Sequence, residues 1–252
     1  MIFQQGFVHC DPHPGNIFIR PRPSFWYKFP FLAHMIPGLF NFEIVLLDHG
    51  LYRTLTDEFR LDYAKLWNAL IKSDEPDIEK YSYRLFLHGE KVCNDGIDHH
   101  RLFASMLTGR SWEAITCSTG PGLASTRTSE ELNMISTKVT QGAFLIAISD
   151  ILAKLPRELL LLLKTNDLLR AVDESLQVMK SNQNHALSLV NIMGWYCAYA
   201  IWTESTRTLI SQKPYSYFTD YHYWNRLLEF YRVASRLVLL NLYIEFKKIS
   251  RS

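Results

Sequence analysis

His9-Cys10-Asp11-Pro12-His13-Pro14-Gly15-Asn16 sets an aspartate and an asparagine five positions apart on a loop punctuated by Pro and Gly. Downstream, Val45-Leu46-Leu47-Asp48-His49-Gly50 places a second aspartate at the end of an apolar run. Chemistry gives the two segments a joint meaning. Transfer of a phosphoryl group from a nucleotide needs a carboxylate beside the incoming hydroxyl, and oxygen ligands that hold magnesium against the phosphates. Asp11 and Asn16 on one rigid loop can serve both needs, and Asp48 can supply a hard anionic ligand from the other side. The competing reading is a Pro/Gly turn in which Asp11 and Asn16 only cap backbone groups.

The flanks of these segments have the texture of short strands. Phe7-Val8-His9, Ile17-Phe18-Ile19 and Ile44-Val45-Leu46-Leu47 are apolar runs that end in polar, Gly or Pro residues. Between them, residues 20–42 carry Pro21, Pro23, Pro30 and Pro37 among Phe and Trp, and read as an inserted loop with apolar anchors. From Thr56 the period becomes helical. Thr56 is a candidate N-cap, Asp57 and Glu58 suit the first turn, and Phe59, Tyr63, Leu66, Trp67 and Leu70 share a face. A second helix is expected to start at Asp74-Glu75-Pro76, since proline is tolerated in a first turn. Cys117 to Ser125 reads as a loop. Helical patterns resume over 129–154, break at Pro156, run through Arg157 to Lys164, continue from Asn166 to Lys180, and end in two long segments, 184–212 and 219–248. The expected organisation is a β element over residues 1–55 that carries the site motifs, then a helical part over 56–252.

Composition bounds the class. With 252 residues, 48% hydrophobic and 21% charged, the chain can bury a sizeable core. Its 27 basic and 25 acidic residues are scattered and leave a net charge of +2, so no nucleic-acid footprint appears. Cys10, Cys93, Cys117 and Cys197 are far apart and form no C-x-x-C pair, which argues against a zinc knuckle or a disulfide scaffold. The opening Met1-Ile2-Phe3-Gln4-Gln5-Gly6 has the form of neither a signal nor a transit peptide. Ala186 to Thr203 holds no charge and includes Trp195, Tyr196, Tyr199 and Trp202. Ser188, Asn191 and Gly194 dilute it, so a buried or membrane-surface helix competes with a spanning one.

The two site segments fit the kinase catalytic-loop pattern H-x-D-x-x-x-x-N and the later D-x-G metal loop, in the right order. Read at greater length, GFVHCDPHPGN (Gly6 to Asn16), VLLDHGLY (Val45 to Tyr52) and LPRELLLLLKTNDLL (Leu155 to Leu169) resemble the UbiB/aarF-domain atypical kinases. The resemblance implies a mainly α fold with a small β element: a protein-kinase-like C-lobe, with the N-lobe absent from this chain. It further implies ATP or ADP with magnesium as ligands, mitochondrial residence, and work connected with quinone or membrane-lipid homeostasis. Residue by residue, Asp11 matches the catalytic-loop aspartate, Asn16 the metal-binding asparagine and Asp48 the metal-loop aspartate. His9 matches the histidine that braces the loop, against the plainer reading of a packed loop histidine.

The departures matter too. His49 stands where kinases carry Phe, and the gap between the motifs is long. The phosphate-covering loop, the phosphate-pairing lysine with its glutamate, and the family's K-x-G-Q signature precede the catalytic loop, yet eight residues precede His9 here. A truncated isoform or partial gene product is therefore expected, weak in nucleotide binding and inactive alone, whose parent transfers phosphoryl groups or hydrolyses ATP. Such a chain would leave Phe3 and Phe7 in water.

Two rival readings stand beside this one. A metal-dependent hydrolase could use His9, Asp11, His13, Asp48 and His49, but would leave Asn16 without a role. A non-catalytic interaction module could act through the helices and through the aromatic segment Tyr215 to Trp224, with a lipid, quinone precursor, protein or membrane surface as partner.

Overall fold

In the computed structural model, which describes residues 1–21, 42–87, 98–116, 142–178, 185–212 and 221–249, the two site loops hang between two small antiparallel ladders. A single turn, α1 (Ile2–Gln5), ends at Gly6 with φ of 64°, a left-handed conformation natural to glycine. A Cβ there would also meet the Leu55 carbonyl oxygen at 3.1 Å. The chain then enters β1 (Phe7–His9), which pairs with β4 (Tyr52–Thr54), Phe7 opposite Thr54 and His9 opposite Tyr52. The second ladder joins β2 (Ile17–Pro21) to β3 (Phe42–Leu46), from Ile17 opposite Leu46 to Pro21 opposite Phe42.

These ladders refine the sequence reading. β2 and β3 form an antiparallel pair that reaches into both ends of the expected insert, so Arg20, Pro21 and Phe42 are strand residues. Pro21 lies on an edge strand, as both strands of a two-stranded ladder are, and so meets the restriction on proline within sheets. Residues 22–41 lie outside the described residues, as do Cys93, Cys117 and the expected loop to Ser125. Strand β4 has only three residues and no legible alternation, and its partner fixes it rather than its own pattern.

The helices follow their caps and apolar faces. In α2 (Asp57–Lys72) the Thr56 hydroxyl accepts from the Phe59 N–H at 3.3 Å, and Asp57 and Glu58 occupy the first turn. Tyr63, Leu66, Trp67 and Leu70 are buried, with Phe59 partly buried beside them. The helix ends at Ser73 in a left-handed conformation, where the hydroxyl donates to the Ile115 carbonyl at 2.6 Å. Next come α3 (Glu75–Leu87), with Pro76 in its first turn, then α4 (His99–Thr108) and the short α5 (Trp112–Thr116). After α6 (Gly142–Lys154), the chain breaks at Leu155-Pro156 and runs as one helix, α7 (Arg157–Val178). Two long helices, α8 (His185–Gln212) and α9 (Tyr221–Ile249), pack on each other, and α8 also packs on α2. Tyr63, Leu66, Leu70, Phe103, Leu107, Ile115, Leu159 and Leu162 are fully buried, each contributing roughly 1.5–3 kcal/mol of transfer free energy.

Two expectations need correction or a boundary. Phe3 is 8% exposed, stacked on Tyr63 at 5.7 Å, so it is core; α1 folds it against α2 and α8. Phe7 does stay exposed, stacked on Tyr52. Among the described residues no helix is long and apolar enough to cross a membrane, so the spanning alternative for 186–203 gains no support. There Cys197, Ala198 and Ala200 are buried while Trp195, Tyr196 and Tyr199 face outward. The described part of the Tyr215 to Trp224 segment begins at Tyr221, which is exposed, as is Trp224.

Candidate functional site

The site is made by two connections that run in opposite directions between the same pair of ladders. One, residues 10–16, leads from β1 to β2; the other, residues 47–51, leads from β3 to β4. Backbone hydrogen bonds pin them together at both ends. The Cys10 N–H donates to the Leu51 carbonyl at 2.9 Å, and the Leu47 N–H donates to the Asn16 carbonyl at 3.0 Å. Asn16 is thereby set beside the segment that carries Asp48, and Asp11 beside the segment's far end.

Inside the first connection, Pro14–Asn16 form one 3-10 turn. The His13 imidazole Nδ1 accepts from the Gly15 N–H at 3.1 Å, and the Asn16 N–H donates to the His13 carbonyl at 2.8 Å. His13 is thus occupied in shaping the loop. In the second connection Asp48 is exposed, and its carboxylate lies over Gly50. A Cβ on Gly50 would come within 3.3 Å of Asp48 Oδ1 and 3.5 Å of Oδ2. Glycine at this position leaves the carboxylate its place.

His9 is not gathered with the others. It is buried, its ring stacks on Tyr52 at 5.0 Å, and Nδ1 makes a long 3.5 Å contact with the Leu51 carbonyl. Its Nε2 is also buried, without a hydrogen-bond partner among the described residues. His49 is exposed, with Nδ1 2.6 Å from the Tyr52 hydroxyl and the two rings stacked. Tyr52 therefore collects Phe7, His9 and His49 around one ring and ties both loops to the β1–β4 ladder. Tyr52 closes the Val45 to Tyr52 motif, two residues after Gly50, and no task is legible for it in the sequence.

A second residue without an assigned task arrives from far away. Lys164, on α7, brings its ammonium to 3.0 Å from Asp11 Oδ1. Beneath the pair, burial pushes the Cys10 thiol above its ordinary value, partly offset by the charges of Arg53 and Lys164. A buried thiol of raised pKa is a poor nucleophile, so Cys10 is packing rather than chemistry.

The donor chemistry suits a hard cation. Asn16 and Asp48 offer an amide oxygen and a carboxylate from adjoining segments, the kind of sparse oxygen set that magnesium uses alongside phosphates. Among the described residues no three His, Cys, Asp or Glu side chains gather in one place, the kind of cluster that the hydrolase reading asks for. The five residues proposed for a hydrolase are divided among a buried ring, a turn and an exposed loop.

Comparison with known proteins bears on the same segment. Residues 1–82 match the family described as the ABC1 atypical kinase-like domain. The chain is 44% identical over 184 residues to AarF domain-containing protein kinase 1 of Xenopus tropicalis, covering 73% of this chain and 30% of that protein. It is 42% identical over 181 residues to the protein of the same name in Mus musculus, covering 72% and 29%. With ABC1 family protein MCP2 of Saccharomyces cerevisiae it shares 34% identity over 207 residues, covering 81% and 32%. The chain thus spans about 30% of the length of the curated relatives it matches. No solved structure matches it.

Proposed function

This chain belongs to the ABC1/AarF atypical kinase-like family, and from that premise we propose that it forms the catalytic-loop side of a phosphoryl-transfer or ATP-hydrolysis site within a protein-kinase-like C-lobe. The observation that supports the reading is the pinning of residues 10–16, which carry Asp11 and Asn16, against residues 47–51, which carry Asp48. Phosphoryl transfer asks little covalent chemistry of a protein and much positioning, so loops pinned in this way are what it requires.

In this reading Asp11 accepts the proton of the attacking hydroxyl or water and orients it. Asn16 and Asp48 would hold magnesium, which neutralises charge on the phosphates when it is bound. His9 braces the loop from within, through Tyr52 and the Leu51 carbonyl. ATP or ADP is the nucleotide this reading assigns to the site. A lipid or quinone precursor in mitochondria is the proposed setting for the acceptor, which label transfer from γ-labelled ATP to a mitochondrial lipid extract would reveal and an unlabelled extract would oppose.

The test of the site is turnover in the full-length protein. Asp11→Asn should cut magnesium-dependent ATP turnover by at least about a hundredfold, the scale of losing a catalytic base. Turnover that survives the substitution intact would remove Asp11 from the mechanism. A second reading, a non-catalytic interaction module, is favoured by one feature: Trp195, Tyr196, Tyr199, Trp224 and Tyr231 are exposed on α8 and α9. Wild-type protein that binds no magnesium–ATP would decide for that alternative.

A further inference from the structure

We propose that Lys164 is a positioning residue of the site, supplied by the helical layer to the catalytic loop; the inference rests on the phosphoryl-transfer reading above. Its Nζ lies 3.0 Å from Asp11 Oδ1, across 153 positions of sequence. The two side chains are 52% and 41% exposed, and ion pairs in such surroundings add little to stability. What the pair does accomplish is geometric. A carboxylate has two oxygens, and an ammonium fixed on Oδ1 leaves Oδ2 to face an incoming hydroxyl.

The loop cannot do this by itself. From His9 to Ile19 it contains no lysine or arginine, and the His13 ring is engaged with the Gly15 N–H. Arg20, the next cation along the chain, is paired with Glu43 across the β2–β3 ladder. The charge has to come from elsewhere, and α7 is built to bring it. Leu159, Leu162 and Leu163 bury one side of this helix, and two residues beyond Lys164 the buried Asn166 amide donates to the Tyr63 hydroxyl at 2.8 Å. Thr165, between them, donates its hydroxyl to the Leu161 carbonyl at 2.8 Å and so sits in the helix without an unmet polar group. The backbone of Lys164 is held on both sides while its side chain reaches outward to the loop.

In the transfer step the acceptor oxygen forms its bond to phosphorus, the bond from phosphorus to the ADP oxygen breaks, and the acceptor's proton passes to Asp11. Lys164 stays an ammonium throughout and exchanges no proton; it acts only through the aim of Asp11. A lysine with this task should show itself in kcat more than in KM for ATP, because it supports the reacting geometry and not ground-state binding.

The experiment is a double-substitution cycle in the full-length protein, reading magnesium–ATP turnover and the thermal midpoint together. Lys164→Met should lower kcat by roughly ten- to a hundredfold, the scale of a small misplacement of a reacting group, with KM for ATP within about threefold. Lys164→Arg should recover most of the loss. In an Asp11→Asn background Lys164→Met should cost nothing further, since its effect runs through Asp11. Wild-type kcat in Lys164→Met, with turnover abolished in Asp11→Asn, would overturn the positioning role and leave the phosphoryl-transfer reading standing. A loss in Lys164→Met that persists undiminished in the Asp11→Asn background, or that follows a fallen thermal midpoint, would also overturn it. Turnover indifferent to Asp11→Asn, or absent from the wild type, would bring down the reading and this proposal together.

Discussion

Gly50 illustrates how much of the site depends on what a residue lacks. Its missing Cβ is the space over which the Asp48 carboxylate rests, and an added methyl would press on a side-chain end, not on backbone. Folding should therefore tolerate Gly50→Ala while the site does not. Expected is a thermal midpoint within about 2 °C of wild type and at least a tenfold loss of magnesium–ATP affinity, checked by calorimetry on the same preparation. His100 makes a different kind of prediction. It is buried against Trp112 and Tyr83, and burial holds its pKa below the ordinary 6.5, with Glu79, Asp98 and Glu75 opposing that shift and Arg101 adding to it. The unfolded chain therefore takes up a proton at a pH where the folded one still resists it. Stability should be flat with respect to this group above about pH 7 and should fall as pH drops below 6.5, until the folded-state pKa is passed. Denaturant midpoints measured from pH 7.5 to 5 would show a shallower acid decline in His100→Gln; an identical decline in both proteins would exclude His100 as a source.

Helix α7 is the element on which the site's relation to the helical part turns. Tyr63 and Asn166 join α2 to α7 through a buried hydrogen bond, and burial pushes the Tyr63 hydroxyl up to about 12. Tyr63→Phe removes the acceptor and leaves the Asn166 amide buried without it, at a cost of about 1–3 kcal/mol. Urea unfolding should register that loss, and an unchanged midpoint would mean that the amide finds another partner. The elements differ in how legible they were. Helix α2 could be read in full, because its cap, its acidic first turn and its apolar face all lie within one short window. Strand β4 could not, since three residues carry no period and their conformation comes from pairing with β1. The β2–β3 pair reaches Arg20, Pro21 and Phe42 for the same reason: register is decided by the partner strand.

At the scale of the whole molecule, the site is composite. Asp11, Asn16 and Asp48 stand out in the sequence because phosphoryl-transfer chemistry asks for those residue types at that spacing. The pinning of the two loops that carry them has no such signal, because it is made by Cys10 bonding to Leu51 and Leu47 to Asn16, across strand pairings with no local signature. Lys164 was hidden for a stronger reason: its partner lies 153 positions away, and a lysine in a leucine-rich helix reads as a solvated charge. The helical part thus does more than bury apolar surface, since it also brings a charge to the loop. The central claim remains that the two connections between the ladders form a magnesium–nucleotide site. Titrating magnesium–ATP into the full-length protein, as wild type and as Asp48→Asn, tests it most directly. The account predicts binding that requires magnesium and weakens at least tenfold in the variant; equal affinity in both proteins, or affinity indifferent to magnesium, would contradict it.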